Sequence, residues 1–315
     1  MYIKTGVQIL RFSSLFLFCF LNSNPGIAKS PRNYLAAKRA IESGSLEKLK
    51  AALKGKININ FIDKYSESTL LIVAVENQQL EIVRYLLENK ANPNPKGLIR
   101  TPLEEAISKN NYDIFDLLLT FKADVNLQDA HGFSPLHSAV NNNDERFIDR
   151  LLALGANPNI MNGLGQTPLM ALPYGTAAQK LIEAGADVNL ADRNGDTALM
   201  NASGGMPETV RVLLAAKADV NASNSSGDTA LIAAAVCGQS DIVRQLLSAG
   251  ADLAHRNKCG ITAEEAIDAP GSPHDNCYLY KWCAVGGRGA EPDYESTRRI
   301  INEFKESKYQ ESPHE

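Results

Sequence analysis

The sequence lacks a long block of basic residues. Its 32 lysines and arginines and 36 aspartates and glutamates give a formal net charge of −4, and both signs are spread along the chain. A protein that binds nucleic acid through the phosphates needs basic residues clustered on one surface. The charge pattern therefore argues against nucleic acid as a partner.

No apolar run is long enough to cross a membrane comfortably, since a spanning helix needs about 20 apolar residues. The one candidate, residues 12–21, follows the positive charges of Lys4 and Arg11 and precedes small residues that end at Ala28. This order is typical of a cleavable secretory signal. We therefore expect residues 1–28 to be removed and the mature protein to be periplasmic or secreted.

Two other interpretations of this segment stay open. An uncleaved anchor would need Arg11 to snorkel, so that Ile9 and Leu10 lengthen the apolar run. A lipoprotein signal would use Cys19, but Phe18 before it is bulky where such signals carry a small residue. No stable membrane span is expected after cleavage.

The chain also has no motif that predicts catalysis. The glycines at 286, 287 and 289 follow no convincing strand and open no clear helix, so they do not indicate a phosphate-binding loop. A zinc site built from His274, Cys277 and Cys283 would lack the usual spacing of paired cysteines. Nothing near Cys277 identifies an oxyanion donor for a nucleophile. We expect no enzyme activity, no cofactor and no metal.

Cysteine is scarce, with five in 315 residues. Four remain once the N-terminal segment is removed, an even number that permits disulfides in an exported chain. Cys277 and Cys283 enclose a short loop and are the predicted pair. Cys237 is expected at the end of a helix, far from the hairpin that carries Cys259. That pairing is disfavoured, and Cys237 is interpreted as a small buried apolar residue.

What the sequence does contain is a repeat. A threonine or serine recurs at separations of 32, 33, 33, 30, 32 and 33 residues. The seven positions are Thr69, Thr101, Ser134, Thr167, Thr197, Thr229 and Thr262. After each of the first six, a second pattern of the form Leu-Leu-x-x-Gly-Ala-Asp-Val-Asn follows, so the units contain the same two elements.

Each unit is predicted to hold two helices. The repeated hydroxyl can cap the first helix, and Pro135 follows Ser134 at the first helical position, where proline is tolerated. Small and apolar residues after it, beginning with Leu136, favour close packing. The second helix carries one apolar stripe that includes Phe147 and Leu151. It ends at glycine in three units and at lysine in three others, where lysine incurs a small conformational cost.

Helix, turn, helix and hairpin in about 33 residues, with Ser134-Pro135-Leu136-His137 heading one unit, resembles the ankyrin repeat. The resemblance covers residues 63–267, with a weaker unit before it. It implies an all-α repeat solenoid of about seven to eight helix-turn-helix units joined by β-hairpin-like loops, and it gives His137 a turn-stabilising role. Elsewhere the histidine position holds Ile72, Glu104, Met170, Met200 and Ile232. Those units are expected to lose that hydrogen bond.

The predicted organisation has five parts. They are a signal (1–28), a lead-in with an N-terminal capping repeat (29–62), the array (63–268), an atypical C-terminal cap (269–304) and a disordered tail (305–315). The array is irregular in the middle, where the unit starting at Thr167 is short and the next one carries Gly204-Gly205-Met206-Pro207. These irregularities bend the stack, create a pocket, or are neutral changes in a tolerant loop.

Arrays of this kind generally bind other proteins on the concave face that hairpin tips and first helices form, so binding of a protein partner is the predicted function. The positions selected as the binding face are Tyr65, Glu76, Arg100, Lys109, His131, Phe133, Asn141, Gln166, Tyr174 and Arg193. The same register selects Ser68, Leu98, Asn142, Leu164, Asn194 and Asp196. The tyrosines, Phe133 and Arg100 belong to residue types that tend to dominate binding energy.

Three roles fit this prediction. The first is a scaffold or adaptor outside the cytoplasm, which the signal and the repeat together favour. The second is a periplasmic inhibitor or immunity-type binder of an enzyme or toxin, and the third is a secreted effector that acts on host proteins. In each case the protein is expected to be a monomer.

Overall fold

The computed structural model describes residues 32–55, 57–63, 65–171, 174–268, 283 and 292–311. In these residues the chain forms fifteen α-helices and one short 3₁₀ helix. The helices are α1 (Arg32–Glu42), α2 (Leu46–Leu53), α3 (Leu70–Glu76), α4 (Leu80–Glu88), α5 (Pro102–Ser108), α6 (Tyr112–Thr120), α7 (Pro135–Asn141), α8 (Glu145–Ala153), α9 (Gly175–Glu183), α10 (Ala198–Ala202), α11 (Pro207–Ala215), α12 (Ala230–Val236), α13 (Ser240–Ser248), α14 (Ala263–Ile267) and α15 (Tyr294–Glu311). The 3₁₀ helix is Pro168–Ala171. Within the described ranges, no helix is both long and apolar enough to span a bilayer.

The helices pack in pairs, and each pair stacks on the next to form the all-α repeat solenoid that the sequence predicts. Helix α5, for example, contacts its own partner α6 and also α3 and α7 in the two neighbouring units. Each unit therefore buries its apolar residues against its neighbours rather than in a central core. The predicted signal, residues 1–28, lies outside the described residues.

The repeated hydroxyl caps the first helix of the unit, as predicted. Ser134 Oγ accepts the backbone N–H of His137 at 3.4 Å, and Thr101 Oγ1 accepts that of Glu104 at 3.2 Å. The same contact recurs at Thr69, Thr197, Thr229 and Thr262. Thr167 instead precedes the 3₁₀ helix. A capping bond of this kind stabilises a helix by about 1 kcal/mol.

The interior is most aromatic where α6 meets α8. The rings of Phe115 and Phe147 meet edge to face with centroids 4.9 Å apart, and Tyr112 stacks on Phe147 at 4.3 Å. Burial of each such side chain stabilises the fold by about 2–3 kcal/mol. On the other layer, small side chains such as Ala106 and Ala139 are fully buried, which lets adjacent first helices approach closely.

The asparagine of the Asp-Val-Asn pattern ties neighbouring units together. Asn60 Oδ1 accepts the backbone N–H of Asn92 at 2.7 Å, and Asn60 Nδ2 donates to the carbonyl of Lys90 at 3.2 Å. Asn94 makes the same two contacts with the next unit. The side-chain oxygen accepts a backbone N–H of the following unit also at Asn126, Asn159, Asn189 and Asn221. The repeated asparagine is therefore a structural residue.

Lysine takes the place of glycine after three of the second helices. Lys90, Lys122 and Lys217 have φ angles of +67°, +66° and +64°. This left-handed conformation costs a residue with a side chain about 1 kcal/mol, as the sequence predicts. The carbonyls of Lys90 and Lys122 accept bonds from the asparagine ladder, which helps to hold the conformation.

The irregular middle of the array has a shortened layer of first helices. The unit at Thr167 opens with a four-residue 3₁₀ helix, and α10 in the next unit has five residues, where α7 has seven. The second helices α9 and α11 pack closely in compensation. A Cβ atom added at Gly175 would lie 2.5 Å from Cγ of Glu208, so a larger residue here would require the exposed Glu208 side chain to move.

The last helix, α15, closes the end of the solenoid. It packs against α13 and α14 and buries Ile301. Just before it, the backbone N–H of Asp293 donates to the carbonyl of Gly238 at 3.1 Å. Because the helix ends only at Glu311, the prediction that residues 305–315 are disordered is wrong for most of that segment.

The predicted pairing of Cys277 with Cys283 is also wrong. Cys283 is bonded to Cys237, which precedes it by 46 positions and forms the C-cap of α12. Close to this point, Asp293 donates its backbone N–H to the carbonyl of Gly238, and the hydroxyl of Tyr294 donates to the carbonyl of Val236. The prediction chose the two cysteines that are close along the sequence, whereas the bonded pair is distant along the sequence and close in the fold. Cys259 is disulfide-bonded as well.

A candidate protein-binding face

Backbone hydrogen bonds align the hairpin tips of successive units into one continuous strip. Ala130 N–H donates to the carbonyl of Leu98 at 2.7 Å, and Gly163 N–H donates to that of His131 at 2.7 Å. The same bond continues at Arg193, Ser225 and Lys258. We call residues 65–68, 97–100, 130–133, 163–166, 193–196 and 225–228, with the first helices below them, the hairpin face.

The close approach of the tips explains two glycines. Gly132 has a φ of +81°, and a Cβ atom there would lie 2.6 Å from the nitrogen of Gly163. At Gly163 a Cβ atom would meet the carbonyl oxygen of His131 at the same distance. Both positions therefore exclude any side chain. The side chains that the strip presents come from the other residues of each hairpin tip.

The structure exposes most of the positions that the sequence selects for binding. Tyr65, Glu76, Arg100, His131, Asn141, Tyr174 and Arg193 are exposed, and Lys109, Phe133 and Gln166 are half-buried. Among the large hydrophobic residues that the structure describes, Tyr174 and Leu164 are the most exposed, at 59% each. The surface includes a mixture of aromatic, aliphatic and charged groups.

Three further positions of that register were predicted to be exposed and are buried. They are Ser68, Leu98 and Asp196. In the hairpin of Leu98 the glycine, Gly97, stands two positions further from the helix than Gly132 does in its own hairpin. The turn differs for that reason, and the neighbouring Ile99 is 48% exposed instead. The shifted glycine is the sequence signal that could have identified Ile99.

Two adjacent clefts gather six of the selected residues. A cleft of about 480 Å³ is lined in part by Glu76, Arg100 and Lys109. A second, of about 320 Å³, is lined in part by Arg100, His131, Phe133 and Asn141. The clefts share Ile99, Arg100 and Ser108, so they form one surface across three units. Tyr65, Gln166, Tyr174 and Arg193 do not line either cleft.

Charges in the first cleft are largely compensated. Glu105 lies 3.6 Å from Arg100 and 3.3 Å from Lys109, and its side chain is buried between them. Both cations are therefore held by one carboxylate. This arrangement positions Arg100 at the boundary between the two clefts.

The second cleft has a buried acid, Glu104, at the position where another unit carries His137. Its Oε2 accepts the backbone N–H of Thr101 at 2.7 Å, which completes a capping box. Its Oε1 is buried and has no hydrogen-bond partner. Burial raises the pKa of Glu104 to about 8, and the nearby Asp129 adds to the increase. A threonine followed by glutamate three residues later is the signal for the capping box.

His137 has the structural role that the resemblance implies. Its Nδ1 accepts the backbone N–H of Ser134 at 3.2 Å, and its Nε2 donates to the carbonyl of Gln166 in the next hairpin at 3.0 Å. Burial lowers the pKa of His137, so the ring is neutral at pH 7. Phe133 meets this ring edge to face at 5.6 Å, which fixes one wall of the second cleft.

In the part of the chain that the structure describes, no three histidine, cysteine, aspartate or glutamate side chains are arranged to hold a metal ion. Of the zinc ligands weighed from the sequence, His274 and Cys277 lie outside those residues, and Cys283 is in a disulfide.

Comparison with known proteins supports the same architecture. A family model described as ankyrin repeats (3 copies) matches residues 34–129, 103–172, 136–224 and 171–257, which together amount to more than half of the chain. The chain is also similar to an ankyrin repeat protein of fowlpox virus (strain NVSL). The two are 39% identical over 94 residues, which is 29% of this chain and 21% of the viral protein.

Proposed function

Since the chain belongs to the ankyrin repeat family, we propose that it is a scaffold or adaptor that works outside the cytoplasm and captures a protein partner on the part of the hairpin face before residue 190. Proteins of this family typically act as binding scaffolds without enzyme activity. The observation that carries the proposal is the surface between residues 65 and 166, where Ile99, Phe133 and Leu164 are exposed or half-exposed beside charged groups.

Such a surface has the chemistry of a protein interface. Binding energy at interfaces is concentrated in a few aromatic and arginine side chains, surrounded by polar residues that exclude water. Tyr65, Arg100 and Phe133 supply these types within one strip, and Tyr174 adds a fourth. Aligned backbones hold the strip rigid before binding, so little conformational entropy is lost when the partner docks.

Two features support a location outside the cytoplasm. Residues 1–28 read as a cleavable signal, and Cys237 is bonded to Cys283. Structural disulfides persist in oxidising compartments and are rare in the cytosol. Fractionation of the source cells, with sequencing of the mature N terminus, tests this part: the protein should be periplasmic or extracellular and start near residue 29. Recovery of the intact N terminus in the cytosol would contradict it.

Affinity purification of the tagged protein from its own cells, followed by mass spectrometry, tests the binding function. We expect one or a few proteins to be recovered in stoichiometric amounts. If the purified protein instead turns over a small molecule and retains no protein, the proposal is wrong. A single captured enzyme whose activity is inhibited would favour the inhibitor role over the scaffold.

A further inference from the structure

The second cleft of the hairpin face contains a carboxyl group, that of Glu104, with one oxygen that has no hydrogen-bond partner. Glu104 is 2% exposed and lines this cleft of about 320 Å³. Oε2 is bonded to the N–H of Thr101, whereas Oε1 has no partner. A buried acceptor without a donor costs about 1–3 kcal/mol, so a donor that enters the cleft from a partner would recover that energy.

A second capping box with a glutamate, at Thr262 and Glu265, shows which donor suits this geometry. Glu265 accepts the N–H of Thr262 at 2.9 Å, as Glu104 does from Thr101. There the guanidinium of Arg256 donates to both carboxylate oxygens, at 2.8 and 3.1 Å. Arginine and carboxylate form such forked pairs with two charge-assisted bonds.

The unit of Glu104 has no arginine at that place. Arg256 stands six positions before Thr262, and the residue six positions before Thr101 is Pro95, which has no side-chain donor. The nearest cation that lines the cleft, Arg100, pairs with Glu105 at 3.6 Å. The chain therefore supplies a guanidinium to the carboxyl group of Glu265 and leaves Oε1 of Glu104 without a donor.

The rest of the cleft suits an arginine side chain. Asp129 provides a second carboxylate in the lining, and Asn141 and Ser138 provide polar groups. Phe133 and Ile99 offer apolar surface for the aliphatic part of an arginine side chain. The aromatic ring of Phe133 also attracts a guanidinium group.

We propose that this cleft binds an arginine side chain of the protein partner, with its guanidinium donating to Oε1 of Glu104 and its stem packed against Phe133 and Ile99. The inference rests on the proposed function, because it names the chemistry of the segment that docks on the hairpin face. It makes Glu104 a specificity-determining residue and predicts a partner with an exposed arginine at the centre of its interface.

The ionisation of Glu104 adds a second readout. The pKa of about 8 keeps the free carboxyl mostly protonated at pH 7, and a guanidinium favours the ionised form. Arginine binding therefore releases a proton, and affinity should rise between pH 6.5 and pH 8.5. The other titratable or charged groups that line the cleft are Arg100, Asp129 and His131, and Glu105 follows Glu104 in α5.

The test is an NMR titration of the purified full-length protein with N-acetylarginine methylamide and with its neutral isostere, N-acetylcitrulline methylamide. We expect the arginine probe to shift the backbone signals of Phe133 and Asn141 in a saturable way and to bind about tenfold more tightly than the citrulline probe. Glu104→Gln should reduce arginine binding to the citrulline level. Glu265→Gln, in the other capping box, is the matched control and should leave it unchanged.

Equal binding of the two probes, no saturable binding of either, or full arginine binding by Glu104→Gln would overturn the inference. Thermal unfolding of each variant verifies that it is folded. This outcome can be distinguished from that of the proposed function. If Glu104→Gln still captures the natural partner at wild-type strength, the arginine site is wrong and the binding function stands. If the protein captures no partner, the proposed binding function is wrong, and the titration still shows whether the cleft binds arginine.

Discussion

The hairpins before and after residue 190 use the same repeat position in different ways. In three units of the first group the residue before the capping hydroxyl is Arg100, Phe133 or Gln166, which are exposed or half-buried, whereas Ser68 in the first unit is buried. In the second group it is Asp196 or Asp228, both buried, and in the last unit the half-buried Ile261. At this position three units of the first half therefore expose their side chains to solvent, whereas the units of Asp196 and Asp228 use them internally.

The difference arises from which side chains meet across neighbouring hairpins. Asn224 Nδ2 donates to Oδ1 of Asp196 at 2.7 Å, and Asn257 Nδ2 donates to Oδ1 of Asp228 at 2.8 Å. Where Phe133 stands in the first half, no such acceptor exists, and the amide of Asn162 turns to Gln166 in its own hairpin at 3.3 Å. An aspartate and an asparagine in consecutive units thus convert a surface position into a structural one.

The largest expected effect is on partner capture by the first half. Phe133→Ala with Tyr174→Ala should weaken capture by about 30-fold for each residue replaced, because an exposed aromatic anchor contributes about 2 kcal/mol. Quantitative pull-down or surface plasmon resonance with the identified partner measures it. The matched pair in the second half, Asn194→Ala with Ser226→Ala, should bind as the wild type does. Equal losses in both pairs would erase the distinction between the halves.

The second half should depend on its disulfide. Replacing Cys237 and Cys283 by alanine is expected to lower the free energy of unfolding by about 2–4 kcal/mol, because the bond closes a long loop that ends at the terminal cap. Urea unfolding monitored by circular dichroism measures the loss. Partner capture at low temperature should persist. An unchanged unfolding midpoint would show that α15 holds the cap without the bond.

In the first half, Glu104→Gln should raise stability at neutral pH by an amount on the order of 2 kcal/mol. The folded-state pKa of about 8 lies above the ordinary 4.5, so the folded protein retains a proton that the unfolded chain loses. Wild-type stability therefore falls as pH rises from 4.5 to 8, and glutamine removes this contribution. Thermal melts at pH 4 and pH 8 should give similar midpoints at pH 4 and a higher midpoint for the variant at pH 8. A variant that is less stable at pH 8 would contradict the assignment.

The smallest expected effect is at the side-chain tie of the second half. Asp228→Ala leaves Nδ2 of Asn257 without its acceptor and should cost about 1 kcal/mol, with no change in partner capture. Chemical denaturation measures the cost, and Asp241→Ala, at an exposed position in the first turn of α13, is the control. If capture falls instead of stability, the second half also takes part in binding.

Much of the fold followed from the repeat because the repeated residues have local physical roles. The hydroxyl at Ser134 caps a helix, and the left-handed residue at Lys122 ends one, whatever lies further along the chain. Leu98 and Asp196 escaped prediction because their burial depends on a shifted glycine and on the neighbouring unit. The partner of Cys237 could not be predicted for a similar reason, because the spacing of the cysteines does not determine the path of the C-terminal segment.

Hydrogen–deuterium exchange of the protein with and without its captured partner locates the binding surface along the array. We expect slower exchange in the complex at residues 97–100, 131–133 and 163–166, and unchanged exchange at 194–196 and 225–228. Protection confined to the second helices α4, α6 and α8, or to the hairpins after residue 190, would contradict this expectation.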